Sequence, residues 1–151
     1  TELGPTVKVA DLYAVFPFSE PIHRVLMKGE QIIAAFIKIL DPANLYNGSE
    51  HYQVSRGVEI IYDHLLQVVV SFKINHQPID EKTLYKVGLS SYHYNNMDRF
   101  LGISHEEIMA NGKPIMVTTS QTDIIEEYFM MHHNIKAKVE GRIQRVNQDE
   151  S

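Results

Sequence analysis

Two short stretches set aromatic rings beside hydrogen-bonding groups. In FPFSEP, Phe16 to Pro21, a proline fixes the backbone between two phenylalanines, and Glu20 follows two residues after the second. In YKVGLSSYHYNNMDRFLG, Tyr85 to Gly102, Val87 and Leu89 alternate with small or polar residues as on a half-covered strand. Tyr92, His93, Tyr94, Asn95, Asn96 and Asp98 then crowd together, at a strand end where chains commonly present binding groups on loops. A planar aromatic ligand held between Phe18 and Tyr92 would gain about 1–3 kcal/mol per stacking contact. Asp98 could accept hydrogen bonds from sugar hydroxyls. The plain alternative is core packing for both phenylalanines and a well-satisfied turn after the strand. Phe16 continues a helix face, whereas Phe18 lies beyond the proline break and need not.

Other chemistries find little support. Of eight histidines only His132 and His133 adjoin, and helical neighbours point about 100° apart, too far to share an ion easily. No His-x-x-x-His, Asp-x-His or Gly-Asn-His-Asp/Glu motif occurs, and with no cysteine there is neither a thiolate site nor a disulfide. Gly-x-Ser-x-Gly, Ser-x-x-Lys and Gly-rich phosphate loops are all missing. Asp80-Glu81 and Glu106-Glu107 sit beside turn residues and read as solvated pairs. A net charge of −5 argues against a nucleic-acid surface. No apolar run of membrane-spanning length is present.

The 151 residues suit one domain, taken as 1–151, with 44% hydrophobic and 22% charged residues. Periodicity predicts a helix over Val9–Val15, stopped by Pro17, then a strand over Ile22–Met27 with Lys28-Gly29 as its turn. Ile32, Ile33, Phe36, Ile37 and Leu40 share one face of a helix over Gln31–Leu40. Asn44–Gly57 reads as a loop. Strands are expected over Val58–Tyr62, Gln67–Ile74 and Leu84–Ser90, with a turn at Asn75–Pro78. Ser120-x-x-Asp123 starts a helix running through His132, with Ile124, Ile125, Tyr128 and Phe129 facing inward. A last strand is expected over Val139–Val146. Helices and strands mix without regular βαβ alternation, which predicts an α+β fold with a mixed sheet and flanking helices.

VADLYAVFPF, MKGEQI, NHQPIDEKTLYKV and VEGRI, in this order and spacing, resemble the C-terminal domain of the 5'-nucleotidase and UDP-sugar hydrolase family. That family of two-domain metallophosphoesterases includes 2',3'-cyclic-nucleotide phosphodiesterases, and the resemblance runs from about Val7 to Ile143. It implies that this chain recognises a nucleotide or nucleoside while an N-terminal metallophosphoesterase domain, expected upstream, carries two divalent metal ions and the catalytic groups. No cofactor or catalytic residue is then expected in the present chain. The base-sandwiching rings fall on Phe18 and Tyr92, the ribose-binding aspartate on Asp98, a polar base-contacting position on Glu20, and Asn96 of the same loop is a further substrate-binding candidate. Extracytoplasmic location is favoured by the resemblance only.

The departures from the family pattern are concentrated in the same loop. Where the family has Gly-Gly-Asp-Gly, this chain has Asn96-Met97-Asp98-Arg99, and Met and Arg cannot replace Gly freely at positive φ. An ionised Glu20 accepts hydrogen bonds without donating them, so base recognition would have to change. A second reading follows from these departures: a degenerate, non-enzymatic binding module that keeps the fold without nucleotide binding. A stand-alone metal-dependent hydrolase is disfavoured by the missing ligand motifs.

Overall fold

The computed structural model describes residues 6–46, 52–118 and 120–148. In chain order the elements are α1 (Val9–Val15), β1 (Ile22–Lys28), α2 (Gly29–Leu40), α3 (Pro42–Tyr46), β2 (Val58–Asp63), β3 (Val68–Ile74) and β4 (Gln77–Pro78). There follow β5 (Leu84–Ser90), α4 (Ser91–Asn95), α5 (Met97–Leu101), α6 (His105–Asn111), β6 (Ile115–Thr118), α7 (Gln121–Met131) and β7 (Ile143–Val146). The expected α+β class holds, but the strands divide into two sheets. One has the order β5-β1-β6 and the other β4-β3-β2-β7.

In the first sheet β1 runs antiparallel to both neighbours, with Val25 opposite Val87 and His23 opposite Met116. In the second, β2 pairs antiparallel with β3 and parallel with β7, Ile60 lying opposite Ile143. Helix α2 touches both sheets and α5, so its apolar stripe lies at the centre of the molecule. Ile32, Ala35, Ile39 and Leu40 from α2 meet Val25 and Met27 of β1, Ile60 and Tyr62 of β2, and Phe72 of β3. Met97, Leu101, Ile103 and Ile108 close this core from the α5–α6 side. The first residue of α2 is glycine for a packing reason, because a Cβ on Gly29 would run into the Asp80 carbonyl. Gly29 opens the helix and is not part of a turn after β1.

Several expectations change. Residues 91–101, expected to be a loop, form two short helices, started by Ser90, whose Oγ accepts from the His93 amide. Asn44–Tyr46, the start of the expected loop, belong to the short helix Pro42–Tyr46, whereas residues 47–51 of that loop lie outside the described residues. Helix α6 and strand β6 were not expected, although Ser104 and Glu107 form a reciprocal capping box with both bonds present. Helix α7 starts as expected, Ser120 Oγ accepting from the Asp123 amide at 3.1 Å. Its expected inward face is covered only in part: Ile125 and Phe129 are half-buried, Ile124 and Tyr128 are exposed, and Thr122 is the buried residue. The last strand begins at Ile143, not Val139, whose side chain is 99% exposed.

Candidate functional site

Residues 16–21 leave α1 without helix or strand structure, as Pro17 ends the helix and Pro21 leads into β1. The Phe18 side chain stands 72% exposed on this segment, and Tyr92, on the first turn of α4, is 42% exposed. Neither ring is part of the core. Tyr92 is backed by Phe100 and His93, with centroids 5.4 Å away in each case.

The Phe18 segment and the Tyr92 helix are joined through Glu20. Its Oε2 accepts the Tyr92 amide at 3.0 Å, and the Ser91 amide donates to the Pro21 carbonyl at 2.8 Å. The amides in the first turn of a helix have no partner within it, so a carboxylate there satisfies a donor that would otherwise need water. An acceptor-only side chain fits this role, which accounts physically for Glu at this position. The opposite side of the segment is held by the start of α7. Gln121 Nε2 donates to the Phe18 carbonyl at 2.6 Å, the Gln121 amide to the Glu20 carbonyl at 2.9 Å, and the Ser19 and Ser120 hydroxyls lie 2.8 Å apart. No local sequence pattern signals these contacts, which bridge about a hundred residues.

Asn96 joins α4 to α5. Its Nδ2 and its amide both donate to the Tyr92 carbonyl, at 2.8 and 3.2 Å. Its backbone, at φ −119° and ψ 25°, is not left-handed, and Met97–Leu101 is helical. Positive φ is deferred to Gly102, at 72°. Met and Arg are thus accommodated by making the segment a helix, with Met97 only 1% exposed in the core. The Asp98 side chain is exposed, and its carbonyl accepts from Lys38 Nζ at 3.0 Å and ties α5 to α2.

Among the described residues no three His, Asp or Glu side chains are grouped to hold a metal ion. Nor is any helix among them long and apolar enough to cross a membrane. A cavity of about 690 Å³ lies elsewhere, lined by residues from the end of α2, Tyr52 and the chain around β7. Phe18 and Tyr92 are not among the residues that line it.

The family model described as the 5'-nucleotidase, C-terminal domain, matches residues 2–104. The chain belongs to this family. None of the curated proteins matches it significantly. Among solved structures, a 5'-nucleotidase precursor from Thermus thermophilus has 22% sequence identity and a TM-score of 0.76, covering 94% of this chain and 28% of that one. The Haemophilus influenzae NAD nucleotidase has 16% identity and a TM-score of 0.72, covering 92% of this chain and 26% of that one. A putative 5'-nucleotidase from Staphylococcus aureus, in complex with alpha-ketoglutarate, has 14% identity and a TM-score of 0.60, covering 92% and 30%. These likenesses establish the fold, and the chain spans under a third of the length of each. In this 5'-nucleotidase C-terminal domain, the helix α7 that anchors Phe18 lies beyond the span of the family model but within a fold shared with these structures over nearly its whole length.

Proposed function

We propose that this domain is the substrate-recognition part of a metal-dependent phosphoesterase of 5'-nucleotidase type, taking a nucleotide's base between Phe18 and Tyr92. The observation that carries the reading is the exposure of both rings on segments joined through Glu20 and Tyr92. Exposed large rings cost apolar hydration unless a ligand covers them, and a base offers two flat faces. Asp98 is proposed for the ribose hydroxyls, and an exposed carboxylate suits them as an acceptor. In this reading the two divalent metals, the activated water and the catalytic groups belong to an N-terminal metallophosphoesterase domain of the same polypeptide. Asn96, the further candidate for substrate contact, also holds the α4–α5 junction through its bond to the Tyr92 carbonyl.

The test is a ¹H–¹⁵N NMR titration of the domain with adenosine, guanosine and uridine. Two stacking contacts give roughly 2–6 kcal/mol gross, and a 1 mM complex needs about 4.1 kcal/mol. The expected outcome is millimolar to high-micromolar binding, with shifts centred on Phe18 and Tyr92, abolished by Tyr92→Ala. No shifts at several millimolar nucleoside would overturn the reading.

A second reading is a non-enzymatic module without nucleotide binding. It is favoured by the commitment of Glu20 to a backbone amide and by the helical, Met97-anchored segment that stands in the glycine loop's place. The same titration separates the two.

A further inference from the structure

We infer that Glu20 and Gln121 are positioning residues that together set the gap between the Phe18 and Tyr92 rings. The inference rests on the nucleoside-binding reading above and goes beyond it by assigning the spacing of the rings to two residues that need not touch the ligand.

Neither packing nor secondary structure holds Phe18. Its ring is 72% exposed, so packing does little to fix it, and residues 16–21 belong to neither a helix nor a strand. Pro17 and Pro21 restrict the backbone, the Pro21 carbonyl accepts the Ser91 amide at 2.8 Å, and the Ser19 hydroxyl lies 2.8 Å from that of Ser120. Hydrogen bonds from two neighbouring helices remain. From α7, Gln121 grips the segment twice, through Nε2 to the Phe18 carbonyl and through its amide to the Glu20 carbonyl. From α4, the Tyr92 amide is bound by the Glu20 carboxylate. The amide that donates to Glu20 belongs to the residue that carries the second ring, so one carboxylate references both rings to each other.

Spacing matters because stacking is steep in distance. Rings on both faces of a base must stand about twice the ~3.5 Å carbon contact distance apart, and a radial gap of ~0.5–1 Å forfeits about a quarter to a half of the attraction. A segment that loses the Glu20 or Gln121 side-chain bond, and keeps only the Ser91–Pro21, Ser19–Ser120 and Gln121 amide contacts, would sample separations of that order. The ring would still be present, but not at stacking distance.

The test uses the whole domain with Glu20→Ala, Glu20→Gln and Gln121→Ala. In the ligand-free protein, the Tyr92 amide proton should move upfield in Glu20→Ala and stay near its wild-type position in Glu20→Gln, which keeps an acceptor oxygen. Both alanine variants should keep the wild-type melting temperature to within about 3 °C, as surface changes usually do. Both should weaken adenosine about tenfold, and free adenine by the same factor, because the lesion is in the gap and not at the ribose. Glu20→Gln should bind within about threefold of wild type. Unchanged adenosine affinity in Glu20→Ala, with the Tyr92 amide displaced, would refute the positioning role while leaving the nucleoside reading intact. Loss in Glu20→Gln equal to that in Glu20→Ala would also refute it, since the carboxylate would then be acting on the ligand. Failure of the wild type to bind any nucleoside overturns the underlying reading and this role with it.

Discussion

Truncating Met97 to alanine examines the helix that occupies the expected glycine loop. Met97 is 1% exposed and packs in the main core alongside Leu101 and Ile103. Removing a buried methionine side chain costs about 2–5 kcal/mol, the lost burial plus the cavity left behind. The upper half of that range applies where the site cannot collapse, and α5, five residues long, is held partly by this anchor. A helix this short has no stability of its own. At about 2–4 °C per kcal/mol for a domain of this size, the melting temperature should fall by about 4–20 °C. Circular dichroism melts of wild type, Met97→Ala and the control Met130→Ala measure it, Met130 being 64% exposed. The control should shift by no more than about 2 °C, the effect of a surface change. Adenosine binding should weaken in Met97→Ala, because Asp98 and Phe100 ride on the same helix. A Met97→Ala shift no larger than the control's would mean that α5 is not anchored through Met97, and the account of how this chain tolerates the loss of the glycines would fail.

Asp98→Asn should weaken adenosine more than adenine; equal losses would remove the ribose assignment while sparing the stacking pair. Gly29→Ala should destabilise the fold strongly, because the added Cβ meets the Asp80 backbone where the Gly29 amide also bonds the Thr83 carbonyl at 3.1 Å; a melting temperature within about 2 °C of wild type would contradict that contact. Acid should also destabilise it. The Leu66 amide and Asn147 hold the Asp63 carboxyl below its ordinary pKa, the Thr83 and Lys82 amides do the same for Asp80, and the Ser104 amide and hydroxyl for Glu107. Carboxyls depressed in the folded state contribute stability above their unfolded pKa and lose it as pH falls through the folded value. Urea midpoints should therefore be level from about pH 7 to 5 and decline below about pH 4, with Asp63→Asn reducing the decline; a midpoint that rises on acidification would reverse the sign.

Legibility in the sequence followed how much of each element's pattern was local. The helix over Gln31–Leu40 and the strand over Val68–Ile74 carry their own periodicity, and both are present. Helix α6 and strand β6 were readable only through the Ser104–Glu107 capping box and a three-residue apolar run, both too short to stand out. The inward face of α7 was legible only in part because burial there depends on what covers the helix: Ile125 and Phe129 are half-buried, but Thr122 is covered while Ile124 is not. Phe18, Tyr92 and Asp98 could be nominated from residue type and resemblance. The grip of Gln121 on Phe18 could not, because it joins positions 103 residues apart. The same holds for Glu20: its acceptor-only character was legible, but its partner, the Tyr92 amide, depends on tertiary placement.

The parallel pairing of β2 with β7 has a consequence for how the domain is made. Strand β2 receives its antiparallel partner β3 almost at once, but its other edge is covered only by Ile143–Val146, near the end of the 151 residues. On the ribosome, the Val58–Asp63 edge stays open while some eighty residues are synthesised at about 5–20 residues per second, several seconds of exposure. An unpaired strand edge is a template for other chains, and closing so long a loop places this pairing late in folding. Aggregation during synthesis should therefore be governed by how quickly β7 reaches β2, and a nascent chain stalled before Ile143 is the form of this domain most in need of a chaperone.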